Sequence, residues 1–260
     1  MFNTFKKTYL EVQKHYKSDA DVSSKERNRY YIFYIMRPLS IPFTVVAYNL
    51  GITSNQATFT GNILILISTI MLLLGADNKI AIMVIYNLYC IFDHVDGNLA
   101  RLYGTSSQFG KYYDGLSDHL GQKPFVIALG IYAFYSYENI IWVLLAFLSI
   151  FIEEVYVYLE SRFSLMRISS ITSDSNIKNL SKTSSLENDE TSKINNRESL
   201  FRVFYRILLK NRNIINFPLL TILFLTDYLA LYLIIFLFSQ LFCFLPRIIK
   251  VFLEAKKELS

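Results

Sequence analysis

Ionisable side chains are scarce in this chain: 18% of its 260 residues are Asp, Glu, Lys or Arg and 53% are hydrophobic, a balance too apolar for a soluble domain of this size. Cysteine is scarcer still. Cys90 and Cys243 lie in apolar runs without neighbouring His or Cys, which excludes a disulfide framework and a zinc site and leaves both as small core residues. The polar stretch 1–29 has no apolar run leading to a small-residue cleavage site, so no signal peptide is expected and insertion starts at the first internal span. The basic excess is small, 26 Lys and Arg against 21 Asp and Glu. It falls in polar ends and loops, where it suits anionic lipid headgroups and not nucleic acid.

What the chain does have is a set of apolar runs near the length needed to cross a bilayer. They predict spans at about 54–74, 80–103, 109–135 and 139–162, and two more within 214–249, a run too long for one crossing and broken at Thr226-Asp227. Between Ser169 and Ser199 the chain is rich in Ser, Asn, Thr, Lys and Glu without apolar periodicity, as a mobile loop is. The run 30–50 is interrupted by Arg37, Pro38 and Pro42 and suits a helix lying on the cytoplasmic surface better than a seventh span. If the loops at 75–79, 135–139 and 226–228 are outside, they hold only Lys79 among the bases, and the remaining Lys and Arg are almost all cytoplasmic. The expected architecture is all-α and integral to the membrane, a six-helix bundle with an N-terminal interfacial helix. Its parts are an arm at 1–53, catalytic helices at 54–162, a polar loop at 163–212 and two last spans at 213–260.

Against this apolar background four carboxylates stand together, Asp93 and Asp96 ending one run and Asp114 and Asp118 opening the next. Charge at the edge of a membrane segment is expensive to desolvate and marks a functional site. The spacings of three and four put each pair on one helical face, and antiparallel neighbours joined by a short loop bring the two faces together. Two carboxylates about 4 Å apart repel by roughly 4 kcal/mol at an effective dielectric near 20, so four need cations. All-oxygen ligation favours Mg²⁺, Mn²⁺ or Ca²⁺, and a pair of such ions can hold both phosphates of a diphosphate. Gly97 and Ala100 leave clearance for a ligand on the same face, and Gly110 is expected to let the helices approach.

The pattern Asp93-x-x-Asp96-Gly97-x-x-Ala100-Arg101, with Gly110, Asp114 and Asp118 following at spacings of nine, four and four, resembles the complete signature of the CDP-alcohol phosphotransferases, also called CDP-alcohol phosphatidyltransferases. The segments Arg37-Pro38-Leu39-Ser40 and Gly51 to Thr58 resemble those that lead into the first span of that family, with Ser54 where proline is usual. The resemblance implies two divalent ions, Mg²⁺ or Mn²⁺, on Asp93, Asp96 and Asp114, with Asp118 as the base and also touching metal. It implies a nucleotide pocket with Asn55, Thr58, Asp93, Gly97, Ala100 and Arg101, and a second copy of the chain as a partner. The expected reaction transfers a phosphatidyl group from CDP-diacylglycerol to a small alcohol and releases CMP.

Other polar residues have weaker claims. Lys123, Glu153 and Glu154 lie within apolar runs and are candidates for the acceptor side. His94 and His119 flank the Asp residues but are expected to point away from them. Few bases lie inside the last three spans, which disfavours a tightly clamped phosphorylated acceptor. Two alternatives stand beside the first reading: a CDP-choline or CDP-ethanolamine transferase with a lipid acceptor, suggested by Gly104-Thr105-Ser106-Ser107, and a divalent-cation transporter. Transport sites usually lie near the midplane on broken helices, unlike this cluster at an edge.

Overall fold

A computed structural model describes residues 9, 10, 12, 35–105, 107–173 and 218–259. Every regular element among them is helical: α1 (Arg37–Asn49), α2 (Ser54–Leu73), α3 (Lys79–Leu102), α4 (Gln108–Tyr137), α5 (Ile141–Ser173), α6 (Leu220–Leu225) and α7 (Leu229–Leu259). The expected loop at 169–199 and the amphipathic piece after it fall largely outside the described residues.

Local chemistry sets the boundaries. Thr53 caps α2 in a reciprocal box, its hydroxyl accepting from the Gln56 N–H while the Gln56 side chain accepts from the Thr53 N–H at 2.9 Å. Asn78 and Ser107 cap α3 and α4 with single bonds, accepting from Ala81 N at 3.0 Å and from Gly110 N at 2.9 Å. α3 ends where Gly104 turns left-handed at φ +62°, and the Thr105 N–H then returns to the Ala100 carbonyl at 3.0 Å. That stop directs the chain straight into α4.

Among the described residues, four helices are long and apolar enough to cross a membrane: α2, α3, Ile141–Ile168 of α5 and Leu229–Glu258 of α7. α4, expected as a span, is formed over 30 residues but falls below that apolarity. Its first half carries Lys111, Asp114, Asp118, His119, Gln122 and Lys123, so the polar site itself lowers its hydropathy. Of the expected fifth span, the described residues form the six-residue α6.

The contacts divide the chain into one unit of residues 1–150 and 210–237 and another of 151–209 and 238–260. In the first, α2 packs on α3 and α4, and α1 and α6 pack on α3. Tyr86 stacks on Phe125 at 4.3 Å in the buried centre. At one end Lys79 forms an ion pair with Asp227, and the Tyr137 hydroxyl donates to the Asp227 carbonyl at 2.7 Å. The three turns expected outside the membrane therefore meet at a single end. In the second unit, Tyr156 packs against Phe244 at 5.2 Å beneath the Arg247 guanidinium, and Arg167 pairs with Glu258 at 3.5 Å.

Close helix approach depends on glycines other than the expected one. A Cβ on Gly110 would meet only its own cap, Ser107 Oγ at 3.2 Å, so Gly110 serves the turn and not the seam between helices. At Gly121 a Cβ would come 2.9 Å from Ile65 Cγ2, and at Gly130 2.7 Å from Ala146 Cβ and 3.0 Å from the Trp142 carbonyl. Backbone atoms on α5 cannot yield as a side-chain tip can, so Gly130→Ala is expected to destabilise the protein by about 1–3 kcal/mol. Thermal unfolding in detergent measures this directly, and an unchanged midpoint would show that the contact is looser than its geometry.

Candidate active site

Because α3 runs antiparallel to both α2 and α4, its C-terminal turns meet the opening turns of the other two. Three helix ends thus frame a cavity of about 440 Å³, lined by Thr53, Ser54, Asn55 and Thr58 of α2, Asp96, Gly97, Ala100 and Arg101 of α3, and Gly110, Lys111 and Asp114 of α4, with Thr105 and Ser107 between. Two of the three are helix N-termini, whose free N–H groups and positive dipole ends favour an anion.

Of the nucleotide residues expected from the sequence, Asn55, Thr58, Gly97, Ala100 and Arg101 line this cavity, together with Asp96 and Asp114, and Asp93 does not. Asp93 and Asp118 stand one helical turn away from those two on the same helices. Across the α3–α4 pair, Asp93 is in contact with Asp118 and Asp96 with Asp114. His94, expected to face away, places Nδ1 3.5 Å from an Asp93 carboxylate oxygen. Lys123 lies farther along α4 and is half-buried, and Glu153 and Glu154 belong to the second unit.

Each carboxylate has partners that orient it. The buried Asp96 accepts from the Thr58 hydroxyl at 2.6 Å. Asp118 accepts from the Tyr89 hydroxyl at 2.9 Å, and Tyr89 in turn accepts from Gln122 Nε2 at 3.1 Å. Hydroxyl donors of this kind fix the direction of the free oxygen. Arg101 lies over Gly97, where an added Cβ would meet its guanidinium at 3.6 Å, and it donates to Asn98 Oδ1 at 2.7 Å. Asn98 donates in turn to Ser40 and Thr44 of α1, both at 3.1 Å. α1 thereby braces the arginine from behind.

Among the described residues no group of three His, Cys, Asp or Glu side chains is gathered as a metal site. Asp96 of α3 is held instead by Thr58 of α2, and Asp118 of α4 by Tyr89 of α3. The donor chemistry nevertheless fits a hard divalent cation. Two facing carboxylate pairs provide only oxygen, and a cation between them would relieve a repulsion of roughly 4 kcal/mol per close pair at moderate dielectric.

Several contributors were not singled out from the sequence. Tyr89 lies four residues before Asp93 and Gln122 four after Asp118, so helical spacing alone could have found them. Lys111, beside Gly110, adds a second cation to the cavity. Thr53 and Ser107 carried only capping signals.

In comparisons with family models, residues 52–183 match the one described as CDP-alcohol phosphatidyltransferase. No curated protein matches the chain.

Proposed function

Since the chain belongs to the CDP-alcohol phosphatidyltransferase family, we propose that it moves a phosphatidyl group from CDP-diacylglycerol to the hydroxyl of a small alcohol, with release of CMP, in phospholipid synthesis. The observation that carries this reading is the juncture of a polar cavity, two helix N-termini and four carboxylates at one end of apolar helices.

In this reading Asp118 accepts the proton of the acceptor hydroxyl as its oxygen bonds to the lipid-bearing phosphorus. The bond from that phosphorus to the bridging oxygen breaks, and CMP leaves with the electron pair. Tyr89, itself held by Gln122, donates to Asp118 and keeps its free oxygen aimed. Arg101 and Lys111 offset charge on the departing phosphate, and Asn55 and Thr58 hold the nucleotide against α2 with Gly97 and Ala100 opposite. Asp93, Asp96 and Asp114 would hold Mg²⁺ or Mn²⁺, with Asp118 touching the metal only at its edge while it serves as the base, and the ion when bound neutralises the diphosphate and the charge on the leaving group. Positioning and electrostatics supply most of the catalysis in phosphoryl chemistry. Lys123, Glu153 and Glu154 are assigned to the acceptor side.

We also assign six crossings, with α4 and the span to which α6 belongs joining the four apolar helices, and α1 lying on the cytoplasmic face beside the site. What supports this is the meeting of the three opposite turns, whose one lysine is neutralised by Asp227, since basic loops favour the cytoplasm.

The test is CMP release. Purified protein with Mg²⁺ or Mn²⁺ and CDP-diacylglycerol is expected to release CMP on addition of one class among polyols, amino alcohols and their phosphates. Release from CDP-choline with diacylglycerol, and none from CDP-diacylglycerol, would reverse donor and acceptor. Metal uptake into vesicles without any CMP release would replace the enzyme by a transporter.

A further inference from the structure

Asn98 stands between Gly97 and Ala100, at a position that the acidic signature leaves open. Its side chain nevertheless makes three hydrogen bonds. The amide nitrogen donates to Ser40 Oγ and to Thr44 Oγ1, both at 3.1 Å, and the carbonyl oxygen accepts from Arg101 Nη2 at 2.7 Å. Both amide hydrogens are thereby used.

Three observations give this set of bonds a purpose. The first is polarity. Ser40 and Thr44 commit their own hydroxyl hydrogens to backbone carbonyls of α1, those of Arg37 at 2.8 Å and Ser40 at 2.9 Å, so toward Asn98 they can only accept. An amide turned over would set its oxygen against two hydroxyl oxygens with no hydrogen to offer, and its nitrogen against a guanidinium that cannot accept. The carbonyl of Asn98 is therefore obliged to face Arg101. The second is the anchor. Ser40 and Thr44 are both at 0% exposure on a helix that packs against α3, while Leu39 and Val46 of the same helix are exposed. The relay thus starts from a fixed point. The third is need. Arg101 is exposed, and a long exposed side chain loses rotamer freedom when it is held. Its guanidinium nonetheless lies over Gly97, where an added Cβ would stand 3.6, 3.7 and 3.9 Å from Nη2, Nη1 and Cζ. Near-equal distances to three atoms of one plane set that plane against the glycine, and a guanidinium in a set plane offers its donors in a set direction.

We propose that Asn98 is a positioning residue for the transfer reaction: it fixes the Arg101 guanidinium from the buried hydroxyls of α1, so that the arginine meets the departing phosphate already oriented. The assignment rests on the role given to Arg101 above. It makes α1 part of the catalytic apparatus, since a donor oriented in advance stabilises developing charge without reorganising as the reaction proceeds.

A double-mutant cycle in CMP release tests it. Arg101→Ala is expected to lower kcat/KM for CDP-diacylglycerol by roughly 100-fold or more, as removal of a preorganised donor does, and Asn98→Leu by roughly tenfold or more, as displacement of one does. Added to Arg101→Ala, Asn98→Leu should change kcat/KM by less than about twofold, because a residue that acts through the arginine has nothing left to act on. A residue that merely tied α1 to α3 would cost the same factor in both backgrounds. In Asn98→Leu the hydroxyls of Ser40 and Thr44 keep their bonds to α1, so the fold should survive. Ser40→Ala combined with Thr44→Val leaves Asn98 in place, removes its anchor and serves in the same cycle if Asn98→Leu fails to fold. Losses that multiply overturn the proposal, and so does an Asn98→Leu as active as wild type. An Arg101→Ala as active as wild type removes the arginine and the proposal with it, but leaves the donor reading standing. A wild type that releases no CMP from CDP-diacylglycerol removes that reading, and the proposal as well.

Discussion

Asp118→Asn is expected to reduce turnover by roughly two to four orders of magnitude, the range that a positioned general base contributes, while leaving donor binding in the presence of Mg²⁺ or Mn²⁺ nearly intact. The substitution preserves size and still accepts the 2.9 Å hydrogen bond from Tyr89, but it cannot take a proton from the acceptor. The loss should therefore fall on kcat and not on KM for the donor. Tyr89→Phe serves as the companion. It keeps the carboxylate, removes the donor that aims it, and is expected to give a smaller fall in kcat with the same pattern. Full activity in Asp118→Asn, measured as CMP release, would take that residue out of the base role.

Asp96→Asn should act differently. Asp96 is buried, is held by Thr58 at 2.6 Å and lines the cavity proposed for the diphosphate. Asn can still accept from Thr58, so the fold should survive, but one of the facing acidic oxygens loses its charge. Loss of an outer-sphere partner typically weakens a metal site by roughly 10–100-fold, and loss of a direct ligand should exceed that. The expected result is a rise of more than about 100-fold in the Mg²⁺ or Mn²⁺ concentration needed for half-maximal activity, with donor affinity lost in parallel. Steady-state rates across a metal titration measure it, and a curve matching wild type would place Asp96 outside the cation site.

Much of this arrangement was legible in residue order. The spacing from Asp93 to Asp118 needed only helical geometry and one short hairpin to bring the acids together, and both are local properties that Gly104 and Ser107 secure. The antiparallel order of α2, α3 and α4 then brought Asn55 and Thr58 to the same end. What the sequence concealed depended on contacts between distant segments. That Gly121 and Gly130 make the close approaches, and that Gly110 serves its own cap, follows from which face each helix turns to its neighbour. The bracing of Arg101 by Asn98 from Ser40 and Thr44 joins residues more than fifty positions apart. α4 shows the opposite effect: the polar residues that make it part of the site also lower its apolarity below that of its neighbours, so hydropathy alone undervalues it.

The central claim is that the carboxylates of α3 and α4 gather divalent cations to grip a nucleotide diphosphate at the membrane boundary. Calorimetric titration of CDP into the purified protein, with Mn²⁺ and then with the metal chelated, tests it most directly. Binding is expected with Mn²⁺, absent after chelation and absent in Asp96→Asn under either condition. Equal CDP affinity with and without the metal would contradict the account.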